Sequence, residues 1–281
     1  MKPTKDALGD RMKFYEKLNQ NTFMPLLPIC IRLDGKNFSK WTIGLDKPYH
    51  KELIELFQNT TKYLVKEINA IIGYTQSDEI TLILYSDDAK SKVFFDGKIQ
   101  KIISVVSSMA TAYFNLHCGL INTVKTKTSP DSYFTVNDTA TFDCRAWQVP
   151  TLMEAVNMLI WRENDAVKNS ISSAASSVYS HKELKYKNQQ QRLDMLINKG
   201  INWNNYPYFF KRGSYIKNTE VYKVFTYVEL KELNPKHHAH GNPDMKFKRH
   251  SIEILEDFPK LTSISNPVGV IFHNEDILLK V

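Results

Sequence analysis

Residues 25–39, PLLPICIRLDGKNFS, and residues 73–85, GYTQSDEITLILY, decide the reading of this chain. The first is an apolar run that empties after Leu33 into the polar turn Asp34-Gly35-Lys36-Asn37, the pattern of a buried strand and its exit. In the second, Ile80, Leu82 and Leu84 alternate with Thr81, Ile83 and Tyr85 behind a polar turn, which predicts a hairpin whose second strand is half buried. Each stretch therefore sets an aspartate, Asp34 or Asp78, at the end of a strand.

Working outward, Leu53, Leu56, Phe57, Leu64, Ile68 and Ile71 recur at helical spacing between Lys47 and Ile72, and Gly73 follows as a stop. Ile99, Ile102, Ile103, Val106, Ala110, Tyr113 and Phe114 mark a second amphipathic helix, and residues 139–149, TATFDCRAWQV, alternate as a strand. The order strand, helix, hairpin, helix, strand predicts an α+β fold. It is the βαββαβ ferredoxin-like arrangement also used by polymerase palms, an antiparallel sheet with both helices on one face.

Past Pro150, which suits the first turn of a helix, the sequence MEAVNMLIWRENDAVKNS reads as helical, and so does ISSAASS at 171–177. A basic helical stretch is expected at 182–196, paired strands at SYIKN and VYKVFTYVEL, and a long basic loop at 236–250. The division that follows is a palm-like catalytic region at 1–149 and a helical, basic region at 150–281 packed on it, with small β additions.

Hydrophobic residues make up 42% and charged residues 24% of the 281 positions, values of a chain that folds around a core, in one unit or two closely packed ones. A net charge of +7 with a pI near 9.0 gives a mild preference for polyanions. Cys30, Cys118 and Cys144 are scattered, which suggests neither a disulfide framework nor a cysteine metal site. The charged N-terminus lacks the apolar core of a signal peptide and no stretch is long enough to span a membrane, so the cytoplasm is the expected compartment.

Asp34 and Asp78 on neighbouring strands can hold a pair of Mg²⁺ ions, the arrangement that activates one oxygen and stabilises another in phosphoryl transfer. Either aspartate taken alone reads as an ordinary turn residue. Gly35 permits close backbone approach, and the amides of Lys36, Asn37, Phe38 and Ser39 form a possible donor surface for a triphosphate. Glu79 is placed to assist a metal or to accept a hydrogen bond. Lys98, Lys101 and Ser104 share a helical face near the start of the second helix, either toward phosphates or as a wet surface. Arg145 and Arg162 are arginine forks beside apolar runs, with an internal Arg162–Asp165 pair as the plainer alternative. Basic stretches around Lys182, Lys211-Arg212 and 236–250 are interleaved with aromatic residues, as RNA-binding surfaces are. His237, His238 and His240 lack zinc-ligand spacing and read as a flexible loop.

Six stretches taken together resemble the tRNA-histidine guanylyltransferase family and its guanylyltransferase-like relatives, the 3′-to-5′ RNA polymerases. They are KDALGDRMKFYE, RLDGKNFSKW, YTQSDEITLIL, KIQKIISVVSSMATAYF, FDCRAWQVP and WRENDAVKN, in that order. The resemblance implies that Asp34, Asp78 and the carbonyl of Gly35 ligate two Mg²⁺ ions. It implies that Lys36, Asn37, Phe38, Ser39 and Ser77 cradle the triphosphate, with Lys98 and Lys101 as further basic residues. Arg145, Arg162, Asn169, Lys211 and Arg212 are then the expected tRNA contacts, and the expected assembly is a homotetramer. The reaction implied is adenylylation of a 5′-monophosphate tRNA by ATP, followed by displacement of AMP by the 3′-hydroxyl of GTP or another NTP.

Guanylyltransferases proper follow their Trp-Arg motif with His-Ile-Asn-Asn-Leu-Tyr-Asn-Thr, where this chain has Val167-Lys168-Asn169-Ser170-Ile171-Ser172. Together with KRGSYI and NSISSAASSVYSHKEL, the missing histidine resembles the guanylyltransferase-like branch, for which templated repair of 5′-truncated tRNA is expected. The alternatives are addition of G at position −1 of tRNA-His, a cyclase-like enzyme on the same palm, and a non-catalytic RNA-binding protein.

Overall fold

The computed structural model describes residues 6–119, 139–242 and 244–280. Lys5 of the first motif and Pro243 of the expected basic loop lie outside them. After an N-terminal helix, α1 (Ala7–Leu18), the chain runs β1 (Ile29–Gly35), the short α2 (Phe38–Trp41), α3 (Lys51–Glu67), β2 (Ile72–Gln76), β3 (Glu79–Leu84), α4 (Ile99–His117) and β4 (Phe142–Gln148). All neighbours pair antiparallel in the order β4-β1-β3-β2, the ferredoxin-like order. The palm expected from the alternation is the fold observed.

Alternation along β1 divides the core. Ile29, Ile31 and Leu33 face Leu56, Phe57, Leu64 and Val65 of α3 and Ile102, Val106, Ala110 and Phe114 of α4. Cys30 faces the other way, with Ile72, Tyr74 and Ile83, against a 25-residue helix, α5 (Leu152–Ser176), and the C-terminal part of the chain. Burying each large apolar side chain contributes about 1.5–3 kcal/mol. Because α5 covers the second face, Ile80–Leu84 are buried on both sides, not half buried as the alternation suggested. Pro150 stands before the N-cap, and Thr151 caps α5 by accepting from the amide of Glu154.

The remaining elements are α6 (His181–Leu184), α7 (Gln189–Asn198), α8 (Tyr208–Arg212), β5 (Ser214–Val224), α9 (Tyr227–Glu232), β6 (Lys246–Leu255) and α10 (Pro267–Phe272). The basic stretch at 182–196 is two helices, because Asn188 and Gln191 form a capping box that starts a new one. The stretch VYKVFTYVEL is not one strand. β5 ends at Val224 and a Thr226–Glu229 capping box opens α9. β5 pairs instead with β6, which takes up the second part of the expected basic loop, and His238–His240 form a single 3-10 turn.

β5 joins β2 through Ser214–Lys217, so one six-stranded sheet runs across residue 149 and includes strands from both expected regions. No helix among the described residues is long and apolar enough to cross a membrane.

Candidate active site

β1 and β2 both run toward the end of the sheet where the hairpin turn Ser77–Asp78 lies. Ser77 takes a left-handed φ of 55° there, which lets β3 start directly at Glu79. The amide of Gly35 donates to the carbonyl of Asp78 at 3.0 Å, which brings the exit of β1 to that turn. Gly35 has no room for a side chain: a Cβ there would lie 2.2 Å from Cδ2 of Phe38. Phe38 packs over Gly35 as part of an aromatic cluster with Trp41, Phe57, Phe114 and Phe142.

Asp34 is the register partner of Glu79 on one side and of Asp143 on the other, so three carboxylates lie side by side on one rung. Like charges on adjacent strands are unfavourable neighbours, an arrangement that an intervening cation offsets. Burial raises the pKa of Asp78, the Ser77 hydroxyl at 3.0 Å lowers it, and the charge of Asp34 raises it further. Burial likewise raises Glu79, against the lowering charges of Arg162 and Arg32. Among the described residues no three His, Cys, Asp or Glu side chains converge on one metal position. A hard divalent cation here would take Asp34, Asp78 and oxygens of backbone, phosphate and water, which suits Mg²⁺.

The expected donor surface is shorter than the sequence suggested. The amide of Lys36 is occupied by the carbonyl of Thr141 at 2.8 Å, whereas those of Asn37, Phe38 and Ser39 open the first turn of α2 without an acceptor among the described residues. Phe38 offers only this amide, because its ring is in the core. Beside this turn lies a cavity of about 470 Å³ lined by Ser39, Thr75, Ser77 and Asp78 on one side and Asn169, Ser170 and Ser173 of α5 on the other. Tyr49, His50, Phe209 and Phe210 also line it.

The arginines divide. Arg162 reaches from α5 to Glu79, with Nε 2.6 Å from Oε1, and pairs with Asp165 at 3.1 Å. The two side chains form a nearly buried ion pair. Arg145 is exposed beside Asp143 at 3.1 Å and is the register partner of Arg32, whose Nε is buried without a hydrogen-bond partner. An arginine rung thus lies next to the carboxylate rung. Arg212 turns inward instead, onto buried Glu163 at 3.2 Å and the carbonyl of Phe258 at 2.8 Å. Lys211 donates to the carbonyl of Asn204 and lies over Trp203.

Lys98 and Lys101 are not brought to the carboxylates. α4 starts at the other end of the sheet, where Asn21 and Phe23 hydrogen-bond Ile99 and Gly97, and where Met24 bonds Gln148, the partner of Ile29. α4 draws level with Gly35 only at Ser107, which donates to the carbonyl of Phe142. Lys98 and Lys101 precede that point by about 14 and 9 Å along the helix. They are also on the α3/α4 side of the sheet, whereas Asp34 and Glu79 share the parity of Cys30 and Ile83 on the α5 side.

Sequence reasoning missed Arg32, Asp143 and the cavity wall of Thr75, Tyr49, His50, Ser173 and Phe209. Counting back two positions from Asp34 would have found Arg32, since i and i−2 share a face. Nothing local signals the others, which depend on strand register and on where α5 and α8 pack.

Two aspartates at one end of a palm sheet, beside a cavity, fit a palm-type enzyme of phosphoryl transfer. Residues 9–150 match the family described as tRNAHis guanylyltransferase. An uncharacterized protein of Acanthamoeba polyphaga mimivirus is 33% identical over 75% of this chain and 77% of its own length. Among solved structures, a bacterial tRNA(His) guanylyltransferase-like protein in complex with ATP superposes with a TM-score of 0.70 at 31% identity, covering 95% of this chain and 100% of that one. A structure of such a bacterial protein in complex with GTP gives 0.65 at 32% identity, over 92% and 94%. The chain belongs to the tRNAHis guanylyltransferase family and is a nucleotidyltransferase.

Proposed function

We propose that this enzyme adds nucleotides to the 5′ end of tRNA in the 3′-to-5′ direction and that its role is templated repair of 5′-truncated tRNA. The observation that carries the reading is the closeness of Asp34 to Asp78, which lines the cavity together with Ser39, Ser77 and Asn169. Similar proteins are described with ATP and with GTP, and a cavity of this size accepts either. When bound, two Mg²⁺ ions at Asp34, Asp78 and the Gly35 carbonyl supply charge stabilisation for the attacking and leaving oxygens.

The residues of the chain divide the remaining work. Asn37, Phe38 and Ser39 present amides to the triphosphate, with the Ser77 hydroxyl and Lys36 beside them. Arg145 and Arg32 hold the 5′-phosphate of the RNA next to the carboxylate rung. In the first step an oxygen of that phosphate attacks the α-phosphorus of ATP and pyrophosphate leaves. In the second the 3′-hydroxyl of the incoming nucleotide attacks the activated 5′-phosphorus, AMP leaves, and the hydroxyl proton passes to solvent.

Val167 stands where guanylyltransferases proper carry histidine, which favours repair over addition of G at position −1 of tRNA-His. The reading includes a cytoplasmic homotetramer. What supports self-association is α1, which buries none of its residues and exposes Leu8, Met12, Phe14, Tyr15 and Leu18.

The test uses 5′-monophosphorylated tRNA lacking its first nucleotide, in versions differing in the opposing base, with ATP, Mg²⁺ and each NTP in turn. Addition that follows the opposing base is the expected result. G added only to tRNA-His regardless of pairing would return the chain to the guanylyltransferases proper, and no addition would leave an RNA-binding protein.

A further inference from the structure

α5 carries a stripe of side chains past the site, Trp161, Arg162, Asp165, Lys168 and Asn169, and its two ends differ in kind. Asn169 is at the cavity that takes the incoming nucleotide. Trp161, eight residues earlier and about 12 Å back along the helix, is 49% exposed, whereas Val156, Met158, Leu159 and Ile171 of the same helix are buried. One side of its indole is occupied by the guanidinium of Arg162, 4.3 Å from the ring, and that guanidinium contacts Glu79, the register partner of Asp34. Arg162 is thus held between an aromatic face and the carboxylate rung, which fixes the indole beside the reacting centre and leaves part of it to solvent. The ion pairs of Asp165 with Arg162 and Lys168 brace the same stripe.

Two nucleotides meet at the carboxylates in a 5′ addition: the incoming one and the terminal one of the RNA. With the incoming nucleotide in the cavity beside Asp78 and Asn169, the RNA's own terminal base falls to the flank of α5 where Trp161 and Arg162 stand. Exposed indole next to arginine is the chemistry of a base-stacking platform, because every base has a π-face and stacking needs no particular sequence.

We infer that Trp161 is the stacking platform for the 5′-terminal base of the RNA substrate. This rests on the proposed reaction at the RNA 5′ end. A platform blind to sequence suits an end whose identity varies with the extent of truncation. It holds the end in place while the opposing base selects the nucleotide.

The test uses a 5′-monophosphorylated acceptor-stem hairpin carrying 2-aminopurine as its first nucleotide, with a control carrying it in mid-stem. The wild-type protein is expected to quench the terminal probe and not the mid-stem one. Trp161→Leu is expected to lose the quenching and to raise the KM for the hairpin about tenfold, with kcat and the KM for ATP unchanged, whereas Trp161→Phe retains both. Equal quenching and equal KM in Trp161→Leu and wild type would overturn the assignment. So would a change in sedimentation of Trp161→Leu with RNA affinity intact, which would make the indole a contact between copies. Quenching without any nucleotide addition would keep the platform and reject the repair reaction, so the two failures are distinct.

Discussion

The amide of Gly35 donates to the carbonyl of Asp78 over 3.0 Å, fastening the exit of β1 to the turn of the β2–β3 hairpin. Through this bond two aspartates 44 positions apart in sequence come to share one end of the sheet. Chemistry, stability and RNA binding around that junction can be separated by substitution.

Asp34→Asn and Asp78→Asn are each expected to lower adenylylation and nucleotide addition by at least about a thousandfold, the scale of lost transition-state charge stabilisation. tRNA affinity should stay within a few fold. Single-turnover assays with filter binding check both, and turnover retained in both variants would remove the metal reading of the pair.

Gly35→Ala acts through packing. Its Cβ would meet the Phe38 ring at 2.2 Å, and relieving that overlap should cost about 1–3 kcal/mol, read as a lower urea midpoint. Shortening the ring in Gly35→Ala/Phe38→Leu should recover part of the activity that the single variant loses. No recovery would mean that the glycine serves something other than Phe38.

Arg145 and Arg212 should respond in opposite ways. Arg145→Ala is expected to leave stability unchanged, weaken tRNA binding and reduce the slope of log affinity against log salt by about one. Arg212→Ala strands Glu163, whose side chain is only 3% exposed, and should destabilise the fold by about 3–5 kcal/mol. Salt-dependent binding and denaturant melts of the same two proteins decide the matter.

Metal-free protein should lose stability as pH rises from the ordinary carboxylate value of 3.8 through the raised value of Asp78. The sign follows because a raised folded pKa makes the native state bind more protons than the unfolded chain across that window, so ionisation favours unfolding. Asp78→Asn should lack this component, and Mg²⁺ should suppress it in wild type alone. Urea midpoints against pH, with chelator or with Mg²⁺, give the comparison.

Some structure was legible because it is local. An apolar run ending in a polar turn marked β1, period-two alternation marked β3 and β4, helical periodicity marked α3 and α4, and the Thr226–Glu229 capping box was there to be read. β6 escaped because its first half, residues 246–250, has no alternating apolar set to betray a strand. Arg145, Arg162 and Arg212 were indistinguishable as residue types, yet one is exposed, one is engaged with Glu79 and one is paired with buried Glu163.

By itself, then, the sequence determined the βαββαβ order and set an aspartate at the end of β1 and at the hairpin turn, because hydrophobic periodicity and turn chemistry act over a few residues. Only the tertiary structure decided that Glu79 and Asp143 flank Asp34, that Lys36 spends its amide on Thr141, and that Lys98 and Lys101 start α4 at the far end of the sheet. Strand register and helix direction are set by pairing between segments tens of residues apart, and no local pattern records which side chains that pairing brings together.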